Sequence, residues 1–84
     1  MKVQVRKAGE PAPRTLFIDT EFIRLEALLK LADAVGSGGE AKAMIQEGQA
    51  MVNGEICTMR GKKLRPGDRV VFDGREYLVK FRED

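Results

Sequence analysis

Three turn signatures in the second half of the chain constrain its fold more than any other feature of the sequence. Asn53-Gly54 and Asp73-Gly74 are pairs that tolerate positive φ, so each is typical of a two-residue hairpin turn. In Pro66-Gly67-Asp68 the proline presets φ and the glycine supplies a left-handed position. Because short apolar runs flank these turns, residues 50–79 are predicted to form three or four short antiparallel strands.

Apolar residues ahead of these turns follow a helical period. One stripe recurs at i, i+3, i+4 and i+7: Leu25, Leu28, Leu29 and Ala32. This spacing predicts an amphipathic helix that begins at Leu25, and Gly36 is expected to end it. The preceding run Leu16-Phe17-Ile18 is apolar and partly β-branched, so it is predicted as extended chain.

A second helix is indicated by the spacing of Ser37 and Glu40. In such a capping box the serine hydroxyl accepts from the Glu40 amide, and the glutamate reaches back to the Ser37 amide. The helix is predicted to run from about residue 38 to residue 47 and to end at Gly48. Its buried stripe is expected to contain Ala41, Met44 and Ile45.

This order of elements predicts an α+β fold, with two helices packed on one face of a small antiparallel sheet of three to five strands. The chain has 84 residues, which suits one small domain, and residues 14–84 are assigned to it. Residues 1–13 are expected to be an N-terminal extension or an edge strand. Residues 2–6 alternate like a short strand, and glycine and prolines interrupt residues 9–13.

The sequence lacks the groups that most catalytic and metal sites need. It contains no histidine and a single cysteine, Cys57, which excludes an imidazole base, a Cys–His nucleophile and a cysteine or histidine zinc site. Cys57 is expected to be a small buried residue on a strand. The Gly36–Gly39 segment lacks the following Lys-Ser/Thr of a nucleotide-binding loop. A non-enzymatic protein with no cofactor, metal or small-molecule substrate is predicted.

The sequence also bears on location. No apolar run approaches the ~18 residues of a membrane span, and the N-terminus has no apolar stretch of signal-peptide length. A single cysteine cannot form the internal disulfide that small secreted domains usually need. A cytoplasmic protein without membrane contact, and a monomer, is therefore expected.

Positive charge is concentrated in one internal segment. Residues 41–67 carry five basic and two acidic side chains, although the net charge of the chain is only +2. Four of these cations fall within residues 60–65, in a predicted connection between strands. Gly61 there lets the backbone approach a ligand closely. Composition alone allows either a solvated charged loop or a contact with nucleic acid or another polyanion.

The start of the second helix is another candidate contact. Gly38 and Gly39 leave backbone amides bare at the positive end of the helix dipole, where a phosphate can bind, and Lys42 lies one turn further on. The same glycines also fit a tight inter-helix turn. No exposed aromatic platform is evident, so recognition of folded RNA by its backbone fits better than stacking on single-stranded bases.

Several separated motifs agree in order and spacing with a known family: residues 41–48, residues 52–54 and residues 64–70. They resemble the RNA-binding domain named after ribosomal protein S-four, also called the alpha-L RNA-binding motif. The resemblance is closest to its small stand-alone bacterial YaaA/YbcJ-like members, which share the Leu-Leu-Lys-Leu-Ala helix at residues 28–32 and the motifs at residues 38–42 and 60–64. It covers roughly residues 18–79.

The resemblance implies structured RNA, such as ribosomal or transfer RNA, held at the second helix and the adjoining β-loop. It implies contacts at Lys42, Arg60, Lys62 and Lys63. With the charge and helix-terminus arguments, the predicted RNA-binding set is Gly38, Gly39, Lys42, Arg60, Gly61, Lys62, Lys63 and Arg65.

The chain departs from the family at two places. Glycines stand at 38 and 39, where one or two arginines usually follow the capping serine, and Arg60-Gly61 replaces a frequent Pro-Ser. Positive charge is thus expected to have moved from the helix to the loop. The alternative function is a small protein–protein interaction adaptor or a targeting subunit of an RNA-modifying system.

Overall fold

The structure, a computed structural model, describes residues 13–83, which form two helices and seven strands. In chain order these are β1 Arg14–Ile18, β2 Ile23–Arg24, α1 Leu25–Leu31, α2 Gly38–Gln46, β3 Ala50–Val52, β4 Glu55–Ile56, β5 Lys63–Leu64, β6 Arg69–Phe72 and β7 Arg75–Phe81. The fold is α+β, as predicted. Apart from Pro13, the predicted N-terminal extension lies outside the described residues. Neither of the two helices is long and apolar enough to cross a membrane.

A five-stranded sheet with the order β1-β7-β6-β3-β4 forms one layer, and β2 and β5 form a separate two-stranded sheet. The prediction of a purely antiparallel sheet is wrong at one edge, where β1 pairs with β7 in parallel and Leu16 lies opposite Val79. The reason is the connection between the strands. β3, β4, β6 and β7 are linked without a helix and pair antiparallel. Both helices and the other strands lie between β1 and β7, and parallel pairing requires such a long crossover.

One face of the five-stranded sheet packs against both helices. Alternate strand residues are buried on this side: Leu16 and Ile18 in β1, Ala50 and Val52 in β3, Val70 and Phe72 in β6, and Tyr77 and Val79 in β7. The predicted stripe of α1 is buried, and so are Ala41 and Ile45 of α2, whereas Met44 is half-buried. Burying one large apolar side chain contributes about 2 kcal/mol. The apolar faces of the helices and of the sheet therefore form a single core.

The first helix ends at Leu31, so the expectation that Gly36 ends it is wrong. Asp33 takes the left-handed conformation with φ of 60°, which aspartate tolerates better than most residues. The Ala34 amide then donates to the Leu29 carbonyl at 2.9 Å, closing the helix in a Schellman pattern. The rule that glycine ends a helix therefore places the end of α1 too late.

The second helix begins where its capping box predicts. The Ser37 hydroxyl accepts from the Glu40 amide at 3.2 Å, and Gly48 follows the helix with φ of 81°. The reciprocal bond differs from the prediction. The Glu40 carboxylate accepts from the Gly36 amide at 2.6 Å, one residue earlier than a standard box. Ser37 is extended, with φ of −157°, and the glutamate therefore holds the chain just ahead of the cap.

The predicted turns are confirmed, and two of them are joined by side chains. The Asn53 side-chain amide donates to the Asp68 carboxylate at 3.1 Å, and the Arg69 amide donates to the Asn53 side-chain oxygen at 2.9 Å. The other Asp68 oxygen accepts from the Arg65 amide at 2.8 Å. Asn53 and Asp68 thus fasten the β3–β4 hairpin to the turn that follows the cationic segment.

We expect Asp68→Ala to lower the free energy of unfolding by about 1–2 kcal/mol, because the Asn53 and Arg65 donors lose their acceptors. Urea denaturation measures the change. Asp68→Asn keeps one acceptor oxygen and should lose less. Asp19→Ala, at an exposed aspartate after β1, should change stability by less than about 0.5 kcal/mol. Equal losses at 68 and 19 would contradict a structural role for the Asp68 carboxylate.

Gly61 lies within the cationic residues 60–65 and Gly67 just after them, and the two glycines allow a matched comparison of backbone strain. Gly67 has φ of +101°, whereas Gly61 has no such conformation, and an added Cβ would meet no atom within 4 Å at either. Gly67→Ala should therefore cost about 1–2 kcal/mol from backbone strain alone. Gly61→Ala should be neutral or stabilising by up to about 1 kcal/mol. Thermal melting of both variants checks this, and a stable Gly67→Ala protein would refute the strain.

Candidate nucleic-acid interface

The cationic segment at residues 60–65, here the basic loop, is tied by its backbone to the start of α1. The Leu25 amide donates to the Lys62 carbonyl at 2.9 Å, and the Glu26 amide donates to the Arg60 carbonyl at 3.0 Å. The N-cap residue of α1, Arg24, makes no side-chain capping bond. The loop carbonyls therefore satisfy two of the amides at the start of α1 that have no partner within the helix.

The end of the basic loop is anchored in the core. β5 pairs with β2, which places Leu64 opposite Ile23 and Lys63 opposite Arg24. Leu64 is fully buried, whereas Lys63 and Arg65 on either side of it are exposed. Strand alternation thus turns the apolar residue inward and leaves its two cationic neighbours in solvent.

An aromatic ring supports two of the cations. The Lys63 ammonium lies 4.9 Å from the centroid of the Phe22 ring, and the Arg24 guanidinium carbon lies 6.0 Å from it. Such contacts contribute about 0.5–1 kcal/mol at exposed sites and restrain the cation. Arg24 is a basic residue of this surface that the sequence reading missed. Arg24 reaches this surface because β2 pairs with β5, and no local pattern of the sequence reveals that pairing.

The basic loop and the β3–β4 hairpin enclose a groove of about 570 Å³. Lys62, Lys63 and Arg65 line one side, and Asn53 and Glu55 line the other; Val52, residues 56–59 and Asp68 complete the lining. Arg60 is directed elsewhere. Its Nε lies 4.0 Å from the Glu26 carboxylate, and both side chains are substantially exposed. An exposed pair at this distance contributes little to stability, so the Arg60 guanidinium is available to other partners.

The other predicted contacts lie at the start of α2. Gly38, Gly39 and Lys42 are all exposed. A Cβ at position 38 would meet no atom within 4 Å, and one at position 39 would meet only the Ser37 hydroxyl, at 4.0 Å. The start of α2 follows the C-terminus of α1, whereas the basic loop caps its N-terminus. Residues 32–37 connect the end of α1 to the start of α2.

Cys57 is half-buried and packs against the core, but it follows β4 and is not part of it, so the expectation of a buried strand residue is only partly met. The Cys57 amide still donates to the Ala50 carbonyl of β3 at 2.9 Å, so one hairpin bond extends beyond β4 to Cys57. Its thiol lies 3.6 Å from the Met59 carbonyl. Within residues 13–83 no group of three or more Cys, Asp or Glu side chains is arranged to hold a metal ion.

The sequence shows no evident exposed aromatic platform, but the structure leaves two phenylalanines exposed. Phe17 is 59% exposed and Phe81 is 50% exposed. Both line a separate groove that Leu78 and Pro66 border and that shares no residue with the cationic groove. β1 is an edge strand, so residues that alternate with its buried ones remain in solvent. The Phe22 ring, in contrast, already carries the Lys63 ammonium.

Two comparisons with known proteins agree with this architecture. The profile described as S4 domain matches residues 16–80, which include both helices, the basic loop and nearly all of the sheet. A protein of Bacillus subtilis (strain 168), described as a probable ribosome maturation protein RlbA, is 49% identical over 57 residues, which cover 68% of this chain and 80% of that protein. The resemblance noted in the sequence is thereby confirmed: this chain belongs to the S4 domain family.

Proposed function

We propose that this chain is a non-catalytic RNA-binding protein that contacts the phosphate backbone of structured RNA through the basic loop. The observation that carries the proposal is that Lys62, Lys63 and Arg65 line one side of a groove on a loop whose backbone is already fixed. Family membership supports RNA as the partner. The Bacillus subtilis relative is described as a probable ribosome maturation protein, which favours ribosomal over transfer RNA.

The mechanism is neutralisation of phosphates with release of counterions. The backbone of the basic loop is held by the α1 amides, by the buried Leu64 and by the Asp68 carboxylate. Little backbone entropy is then lost when RNA binds, so more of the contact energy appears as affinity. Arg24 extends the same surface beside Lys63.

The remaining predicted contacts complete a two-part surface. Arg60 is free to exchange its exposed partner Glu26 for a phosphate, and Gly61 adds no side chain that would obstruct the backbone. At the start of α2, the bare amides of Gly38 and Gly39 and the exposed Lys42 offer a dipole and one charge. Base specificity is not part of this proposal.

Replacing both lysines of the groove tests the site directly. In filter binding to structured RNA, Lys62→Ala/Lys63→Ala should weaken affinity and flatten the plot of log affinity against log salt by roughly 0.7–0.9 for each lost phosphate contact. The control Lys80→Ala/Arg82→Ala removes two exposed cations of the C-terminal segment and should keep most of the slope. Equal flattening by both pairs would mean that net charge, and not the groove, binds RNA.

The helix half of the surface is tested by adding what the family usually has there. The space at position 38 is open, so Gly38→Arg should fold and should steepen the salt dependence by roughly 0.7–0.9 if this helix end faces RNA. Gly38→Gln has a similar helix propensity without the charge, and its slope should not change. An unchanged slope in the arginine variant would remove the start of α2 from the interface.

The identity of the partner is read from crosslinking in cells followed by sequencing of the bound RNA. Ribosomal RNA as the main product is the expected result. Recovery of protein partners without RNA would favour an interaction adaptor and refute the proposal.

A further inference from the structure

The two-stranded sheet beside the basic loop places two cations directly opposite each other. Arg24 in β2 pairs with Lys63 in β5, whereas the neighbouring pair, Ile23 and Leu64, packs in the core. Both cations are exposed. Like charges directly opposite each other in an antiparallel pair are destabilising. The fold therefore keeps an unfavourable pair of charges at this position, and a bound anion would relieve it.

The described part of the chain supplies no carboxylate partner for these two cations. Among residues 13–83, the ion pairs join two other arginines to glutamates: Arg60 to Glu26 and Arg69 to Glu76. Neither pair includes Arg24 or Lys63. The two opposed charges are therefore not neutralised by an acidic side chain within this part of the protein.

The group that both cations approach is the half-buried Phe22 ring. Its centroid lies 4.9 Å from the Lys63 ammonium and 6.0 Å from the Arg24 guanidinium carbon. The Thr20 hydroxyl donates to the Phe22 carbonyl at 2.8 Å, which restrains the chain immediately before β2. An aromatic ring attracts cations through its quadrupole but carries no net charge. Phe22 therefore keeps the two side chains near each other and leaves both charges available to an anion.

A phosphate group of RNA supplies the negative charge that this pair lacks. The Cβ atoms of directly opposed residues are about 4.5–5.5 Å apart, so two long side chains can reach one phosphate. The planar guanidinium binds two phosphate oxygens at once, and the ammonium binds as a compact point charge. A phosphate between Arg24 and Lys63 thus adds two attractions to a site of repulsion. Lys62 and Arg65 lie outside this ladder, so each is expected to contact a phosphate of its own.

We infer that Arg24 and Lys63 together hold a single phosphate group of the RNA, and that Phe22 is the positioning residue that keeps both cations at it. The inference rests on the proposed RNA-binding function and deepens it, because it assigns one phosphate to two cations on different strands. Arg24 shares the phosphate that Lys63 binds and does not add a further one.

The first test counts phosphates through the salt dependence of binding to structured RNA. Arg24→Gln/Lys63→Gln should flatten the plot of log affinity against log salt by roughly 0.7–0.9, the value for one phosphate contact. Each single substitution should weaken binding but flatten the plot by less, because the other cation still neutralises the phosphate. The matched control Lys62→Gln/Arg65→Gln also removes two exposed cations. It should flatten the plot about twice as much, since separate phosphates are lost.

The second test asks whether Phe22 acts through the two cations. Phe22→Leu should weaken RNA binding roughly two- to fivefold, the loss expected for cation–π contacts at an exposed site. Phe22→Trp should keep the wild-type affinity, because indole binds cations best. In the Arg24→Gln/Lys63→Gln background, Phe22→Leu should have no further effect, whereas a purely structural role would weaken binding equally in both backgrounds. Phe17→Leu changes an exposed ring elsewhere and should leave affinity unchanged.

Thermal melting establishes that the variants are folded at the binding temperature, and the slope test does not depend on the Phe22 variants. Three results would overturn the inference: equal flattening by the two double variants, an unchanged affinity in Arg24→Gln, or a Phe22→Leu loss that persists without the two cations. In each of these the wild type still binds RNA. Failure of the proposed function differs, because the wild type then binds no RNA or the Lys62→Ala/Lys63→Ala protein binds as the wild type does.

Discussion

The two hydrogen bonds from the first amides of α1 to the carbonyls of the basic loop hold together the parts on which the proposed function depends. The helix has no side-chain cap at Arg24, and the loop between β4 and β5 has no ladder of its own. Each therefore supplies what the other lacks: the loop provides acceptors for exposed helix amides, and the helix provides donors that define the path of the loop. The Lys62 carbonyl accepts from the helix, whereas the Lys62 side chain is exposed to solvent and available to a ligand.

The same arrangement explains why the path of the loop does not depend on which side chains stand at residues 60 and 61. The bonds to α1 come from the backbone carbonyls of residues 60 and 62, and a carbonyl is present whatever the side chain. Arg60-Gly61 can therefore stand where Pro-Ser is frequent. What the path does require lies outside: a buried Leu64, and the Asn53–Asp68 pair that holds the Arg65 amide. The motifs that made the family recognisable are thus largely those that position the loop.

Local patterns predicted the elements well, because each is governed by neighbours in sequence. The stripe from Leu25, the cap at Ser37 and the three turns all lie where their residues place them. What could not be predicted depends on partners distant in the chain. Strand propensity says nothing of whether β1 meets β7 in parallel, and two-residue strands such as β2 and β5 have too few residues to show a period.

The same limit applied to the candidate site. The density of cations in residues 60–65 is visible in the sequence, but the partner that each cation contacts is not. Only the structure shows that Arg60 approaches Glu26 while Lys63 lies over Phe22. Arg24 joins this surface through the pairing of β2 with β5, and Asp33 ends α1 in a conformation that fewer aspartates than glycines adopt.

The two parts of the proposed surface act on a phosphate in different ways. A helix N-terminus presents about half an elementary charge through fixed amides, whereas each loop cation presents a full charge that displaces counterions. Gly38 and Gly39 leave those amides bare, and the Ser37 cap with the Glu40 bond stabilises the start of the helix. Under the proposed function, the loop therefore sets the salt dependence of binding, while the helix end contributes donors of fixed direction.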